Sequence, residues 1–149
     1  MREISASEVN KLEICLRDLA DYHNEKSINF KGKYPKRPFD VTLDMFRADI
    51  LNGKSRIIVI ENADEIAGFC KIDIIKDEGK IDYLIVLKKY RTLGMGKQLM
   101  DSAMGIFKER GIRNIEVKVA DGNDAMYFYE KYGFKMNAHI LKLQAASTV

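Results

Sequence analysis

The sequence predicts an α/β (α+β) domain. It has a mixed central sheet, an antiparallel meander plus a parallel strand pair, flanked by four helices. Three observations predict this. Apolar runs at 56–60, 66–75 and 81–87 are separated by two short turns, Asn62-Ala63-Asp64-Glu65 and Asp77-Glu78-Gly79, and connections that short join antiparallel strands. From 84 to 119 the order is apolar run, glycine turn, amphipathic stretch, apolar run. Such a crossover makes its two strands parallel neighbours. Apolar residues also recur at helical spacing in two stretches before the meander and one short stretch near the C-terminus. No repeat or boundary interrupts the chain, so a single domain spans 1–149.

Taken in order, Arg2-Glu3-Ile4 reads as a short edge strand. Ser5 and Glu8 form a capping-box pattern. Behind them Val9, Leu12, Cys15, Leu16, Leu19 and His23 line one face of a single helix reaching about Asn24. Residues 25–41 have no period. Gly32, Pro35 and Pro38 break any helix, and four bases (Lys31, Lys33, Lys36, Arg37) alternate with Phe30, Tyr34 and Phe39. A loop this long is either a functional lid or a solvated connector with aromatic anchors. Thr42 is expected to cap a helix carrying Leu43, Phe46, Ile50 and Leu51, ended by Asn52-Gly53.

The meander follows, with Gly68 marking a bulge or a close backbone approach inside its second strand. The longest helix carries Met95, Leu99, Ala103, Ile106 and Phe107 and stops at Gly111. Residues 112–119 alternate as a half-buried strand. The loop 121–124 leads into a short helix, 125–132, which Gly133 ends and Phe134 packs over. A final strand is expected at 135–143, with fraying from 145 to 149.

Composition excludes several classes. The chain is 46% hydrophobic and 32% charged, an ordinary globular balance. A net charge of +3 gives no footprint for a nucleic-acid partner. Cys15 and Cys70 sit in apolar settings and read as buried thiols of a reducing compartment. No signal peptide and no run of membrane-spanning length is present, so the expectation is a cytoplasmic protein with no membrane partner. His23 and His139 lack metal-ligand neighbours, so no metal is expected.

The informative stretch is residues 84–100, LIVLKKYRTLGMGKQLM. An apolar strand runs through a basic turn into Gly94, Met95 and Gly96 at a helix start. That arrangement binds phosphate, because exposed amides and the helix dipole point at the anion and glycine lets it come close.

The order of elements, with Arg91-x-x-Gly94-x-Gly96 after the apolar strand, resembles the GNAT superfamily of acyl-CoA-dependent N-acyltransferases. A second element of that superfamily matches Ala125 and the run Tyr129-Glu130-Lys131-Tyr132-Gly133-Phe134. The resemblance covers nearly the whole chain and implies acetyl-CoA as co-substrate. It also implies that the strand carrying Ile85 splays from the one carrying Val117, leaving room for the thioester. Arg91, Thr92, Leu93, Gly94, Met95, Gly96 and Lys97 would hold the pyrophosphate through amides and charge. Leu84, Ile85 and Val86 would pair with the peptide-like pantetheine arm.

The implied reaction is direct attack of a primary amine, on a small molecule or a peptide, on the acetyl thioester. Tyr129 matches the general acid that protonates the leaving thiolate. Glu116 resembles the base of some members. A solvent-facing residue paired with Lys118 is its other reading, and Asp82, Asp73 or a water chain are alternative bases. Asn123 matches a pantetheine contact, although it stands one position closer to Tyr129 than in the family pattern; its other reading is a helix cap. The basic, aromatic loop favours an acceptor bearing a carboxylate or phosphate over a polyamine. A homodimer is a further expectation, since last strands of such folds pair across chains. The competing function is a non-catalytic acyl-CoA-binding sensor, in which Tyr129 would be dispensable.

Overall fold

The computed structural model describes residues 1–145; the expected fraying therefore lies, for 146–149, outside the described residues. Five strands form one sheet in the order β1-β2-β3-β4-β5: Arg2–Glu3, Ser55–Asn62, Glu65–Ile75, Glu78–Val86 and Asn114–Val117. The first four are antiparallel neighbours, and β4 pairs with β5 in parallel. Helices α1 (Glu13–Lys26) and α2 (Phe39–Leu51) precede β2. Helix α3 (Met95–Glu109) makes the crossover to β5, and α4 (Ala125–Glu130) follows. Among the described residues no helix is long and apolar enough to cross a membrane.

Each sheet face has its own core. Val9, Leu12, Leu16 and Phe46 cover Ile57, Phe69 and Ile85 on one side. Leu99, Met100, Ala103 and Phe107 of α3 cover Ile58, Ile72 and Ile81 on the other. Burial of each large apolar side chain contributes about 1.5–3 kcal/mol. The alternation along β3 serves both faces, so most of that strand is buried throughout.

The N-terminal segment departs from the single expected helix. Residues Ala6–Leu12 form a 3-10 helix before α1 begins. Val9 and Leu12 are both fully buried, and three residues per turn brings i and i+3 onto one line facing the core. The Glu8 carboxylate holds this turn, accepting from the Ser5 amide at 3.3 Å and from Arg2 at 2.8 Å. Helix α2 starts at Phe39, directly after Pro38, and the Thr42 amide donates to Pro38 O at 3.2 Å. Thr42 is thus buried in the first turn and is not the cap. Pro38 takes the cap position with an extended ψ, where its missing N–H leaves no helical hydrogen bond unmade.

The expected strand at 135–143 is absent. This segment is irregular, and Met136, Ile140, Leu141 and Leu143 are exposed. A strand requires a ladder partner, and this segment pairs with none of the described residues. Gly68 marks both features that the sequence allowed. The β2–β3 register shifts beside it, and a Cβ there would lie 2.5 Å from Ile85 O of β4.

Candidate active site

The site grows from one irregularity in β4. The β3–β4 register jumps between Lys71↔Tyr83 and Ile72↔Ile81, leaving Asp82 as an extra residue. Such a bulge bends its strand and increases the twist. Pairing with β5 ends at the same point, since Ile81↔Val117 is the last parallel pair. Beyond it, on the side away from β3, the β4 edge from Asp82 to Val86 has no strand beside it among the described residues. Leu84, Ile85 and Val86 therefore lie on an open edge that a peptide-like chain can join. One group on it is already used: Arg91 Nε donates to Val86 O at 2.9 Å.

The chain then passes through a short 3-10 turn, Lys88–Tyr90, into α3. Thr92 and Gly94 both adopt positive φ, 72° and 81°. This curls the backbone so that successive amides point the same way. Among the described residues no backbone acceptor takes the amides of Thr92, Leu93, Gly94, Met95, Gly96 or Lys97. The first to be taken is that of Gln98, by Gly94 O at 3.1 Å. Six free donors at the N-terminus of a 15-residue helix fit a pyrophosphate.

A domain profile described as "Acetyltransferase (GNAT) domain" matches residues 19–141. The chain belongs to the GNAT acetyltransferase family. It is 31% identical over 96 residues to a putative [ribosomal protein bS18]-alanine N-acetyltransferase of Bacillus subtilis, covering 63% of this chain and 64% of that protein. It is 33% identical over 76 residues to the [ribosomal protein bS18]-alanine N-acetyltransferase of Haemophilus influenzae, covering 51% of each. The chain thus spans about half to two thirds of the length of these curated relatives. Among solved structures, the PaiA N-acetyltransferase of Thermoplasma acidophilum in complex with coenzyme A superposes with a TM-score of 0.72. The two are 20% identical, over 91% of this chain and 89% of that one. At that identity the likeness is one of fold.

Within this GNAT fold the charged residues of the glycine turn are partly engaged elsewhere. The Arg91 guanidinium lies over the Tyr22 ring at 4.9 Å and donates to Asp18 at 2.6 Å, bracing the turn against α1. Lys97 donates to Asp101 at 2.7 Å on an exposed helix face. The backbone amides are accordingly the uncommitted anion donors of the turn.

Tyr129 sits across the sheet from the α1–α2 side, in the α3 core. Its ring packs edge-on against Phe128 at 5.4 Å and Phe134 at 5.8 Å. Gly133, with φ +93°, folds Phe134 back over the helix end. Burial, with Cys70 nearby, pushes the Tyr129 hydroxyl above the usual phenol range. Glu116 is exposed. Its neighbours Ile115 and Val117 pack toward α3, so Glu116 and Lys118 face the α1–α2 side. Tyr129 and Glu116 thus belong to opposite faces of the sheet. Asp82 is tied to Lys71 at 2.6 Å, and Asp73 to Lys71 and Ser55.

The loop between α1 and α2 is held by contacts among distant residues. Asp121 accepts from Ser27 Oγ at 2.9 Å and from the amides of Ile28 and Asn29 at 2.7 and 2.8 Å. Those bonds, led by the Asn29 amide, hold its carboxyl below the usual range. Asn24 accepts from the Tyr34 amide and donates to Tyr34 O. Arg37 reaches Tyr83 of β4 at 3.5 Å. Asn123 acts locally: its Oδ1 accepts from the Ala125 amide at 2.9 Å and from Tyr22 at 3.2 Å. This is an Asx turn one residue before Asp124, which stands at the cap position of α4. Only spatial contact reveals the Asp121 clamp, because its partners lie more than ninety residues away.

Gly122, with φ +74°, completes the clamp. A Cβ there would collide with Lys26 O at the end of α1. The Gly122→Ala change is expected to cost about 1–3 kcal/mol through strain and displacement. It should also raise the proteolytic sensitivity of the α1–α2 loop. An unchanged melting temperature and unchanged cleavage would count against the clamp.

Proposed function

We propose that this chain transfers the acetyl group of acetyl-CoA to a primary amine of a small molecule or peptide by direct attack on the thioester. The observation that carries this reading is the opening of β4 from β5 after Ile81↔Val117, directly before six free amides. One cleft thereby offers an edge for pantetheine and a cradle for pyrophosphate. Family membership and the relatives that acetylate a ribosomal-protein alanine support an amine acceptor.

In the reaction the N–C bond forms and the C–S bond breaks. The acceptor ammonium, with an ordinary pKa of about 10.4, gives up one proton before attack and another as the amide forms. One proton goes to sulfur through Tyr129 and the other to water. Burial keeps the Tyr129 hydroxyl protonated, so a proton is available there for the departing thiolate. Glu116, facing the acceptor side, is the base in this reading.

A homodimer and a cytoplasmic location belong to the same reading. The exposed Leu141 and Leu143 support the first, and two free, buried cysteines support the second. The function is tested by incubating the chain with acetyl-CoA and an amine panel, following thiol release and acetylated product by mass. Product formation with at least one amine supports the reading. Coenzyme A binding with no turnover on any amine would favour the sensor instead.

A further inference from the structure

Lys71 takes no part in the acetyl transfer described above, yet it stands where the sheet opens. On β3 it faces Tyr83, the neighbour of the extra residue Asp82. Its side chain is 1% exposed. The ammonium donates to Asp82 Oδ2 at 2.6 Å and to Asp73 Oδ1 at 2.8 Å, and it pairs with Asp49 of α2 at 3.2 Å. One buried cation thus ties the bulge to the neighbouring strand and to a helix. Lys80 also reaches Asp82, at 3.4 Å, but it is partly exposed and comes from β4 itself. Solvent screens that pair, and a contact within β4 does not fix β4 against β3.

The bulge sets the phase of every β4 residue after it. The Leu87 amide donates to Ala67 O at 2.8 Å, so Leu87 and, by alternation, Ile85 turn their backbone groups toward β3. Leu84 and Val86 turn theirs toward the opening, where Arg91 already meets Val86 O at 2.9 Å. The side chains keep the same phase. Ile85 packs in the α1–α2 core, while Leu84 and Val86 pack against the α3 core. Without the bulge, a one-residue slip would turn Ile85 outward and the backbone groups of Leu84 and Val86 into the sheet. The Lys71 ammonium opposes that slip. A buried carboxylate stripped of its cation is costly, and turning Asp82 out to solvent relieves the cost.

We propose that Lys71 is a positioning residue for the cofactor: by holding Asp82 in the bulge, it fixes the outward phase of Leu84 and Val86 on which the pantetheine arm pairs. This deepens the acetyl-CoA reading and rests on it. Lys71 itself touches neither cofactor nor acceptor. The pyrophosphate cradle is built separately, on the positive φ of Thr92 and Gly94 and on the Arg91 brace to Asp18. Losing the Lys71–Asp82 tie should therefore weaken the hold on the pantetheine arm and spare the hold on the pyrophosphate.

The test measures the binding of two ligands by calorimetry. One is coenzyme A. The other is 3′-phosphoadenosine 5′-diphosphate, which keeps the pyrophosphate and lacks the pantetheine arm. Lys71→Met should weaken coenzyme A by about tenfold or more and leave the fragment within about twofold of the parent. Asp82→Ala cuts the same tie while Lys71 keeps Asp73 and Asp49, so it serves if Lys71→Met does not fold, and it should give the same split. A loss shared equally by both ligands would make the cluster merely structural, and no loss for either would leave Lys71 without a hold on the edge; each overturns the proposal. If the parent binds neither ligand, the acetyl-CoA reading fails separately, and amide exchange reads the phase. The Ile85 amide should then be protected in the parent, with those of Leu84 and Val86 exchanging fast, and Asp82→Ala should abolish that contrast. A contrast that survives the substitution overturns the positioning role.

Discussion

Replacing Lys71 with methionine is expected to lower the unfolding free energy at pH 7 by about 3–5 kcal/mol, as for any buried ion cluster stripped of its countercharge. Lys71 is 1% exposed on β3. Its ammonium lies 2.6 Å from Asp82, 2.8 Å from Asp73 and 3.2 Å from Asp49, with the Phe46 ring at 5.1 Å. Burial alone would push the Lys71 ammonium down. Hydrogen bonds to Asp73 and Asp82 outweigh it, and the value stands above the ordinary one. Burial likewise favours the neutral form of Asp82, and Lys71 reverses that, holding the carboxyl low.

The signs define a window. A raised lysine stabilises below its unfolded pKa of about 10.4 and loses that contribution as pH climbs through the folded value. A lowered aspartate stabilises above about 3.9 and loses that contribution as pH falls through its folded value. The parent should therefore hold a plateau between these limits. In Lys71→Met the Asp82 carboxylate loses its cation, burial then favours its neutral form, and acidification should relieve part of the damage. The gap between parent and variant should thus be smaller at pH 4 than at pH 7 in denaturant melts. A gap that is constant with pH would mean that the cluster is not held by its charges. Because Asp82 is the bulge residue, the variant should also weaken coenzyme A binding.

The second large effect is on catalysis. Tyr129→Phe is expected to lower kcat by about 10²–10⁴-fold with little change in the KM for acetyl-CoA. The ring remains to pack between Phe128 and Phe134, so the melting temperature should stay near that of the parent. Burial raises the Tyr129 hydroxyl, so the phenol stays protonated through neutral pH and beyond its ordinary value of about 10. The kcat profile should accordingly show no basic limb from this group below about pH 10. A Phe variant as fast as the parent, or a basic limb near neutrality that vanishes in the variant, would remove the general-acid role.

Local patterns were enough for most of the architecture. Hairpin turns at 62–65 and 77–79 imply the meander on their own, because so few residues permit only an antiparallel return. The Gly94-x-Gly96 turn announces an anion cradle, because positive φ and missing side chains are local properties. Failures occurred where a structure is a relation between distant segments. Residues 135–143 have a strand's composition but join no ladder. Thr42 has a cap's chemistry, but Pro38 sets the start of its helix. Arg91 stands in the motif position, yet Asp18 and Tyr22 of α1 hold its guanidinium.

By itself the sequence determined the meander, the crossover and the glycine turn that opens α3, since each follows from periodicity or backbone freedom within a few residues. Only the tertiary structure decided where the sheet opens, because a bulge at Asp82 is defined by its partners on β3 and the end of pairing by β5. It also decided how the α1–α2 loop is held, since Asp121 clamps it from more than ninety residues away. Contacts of this kind depend on distances through space, which a linear pattern does not contain.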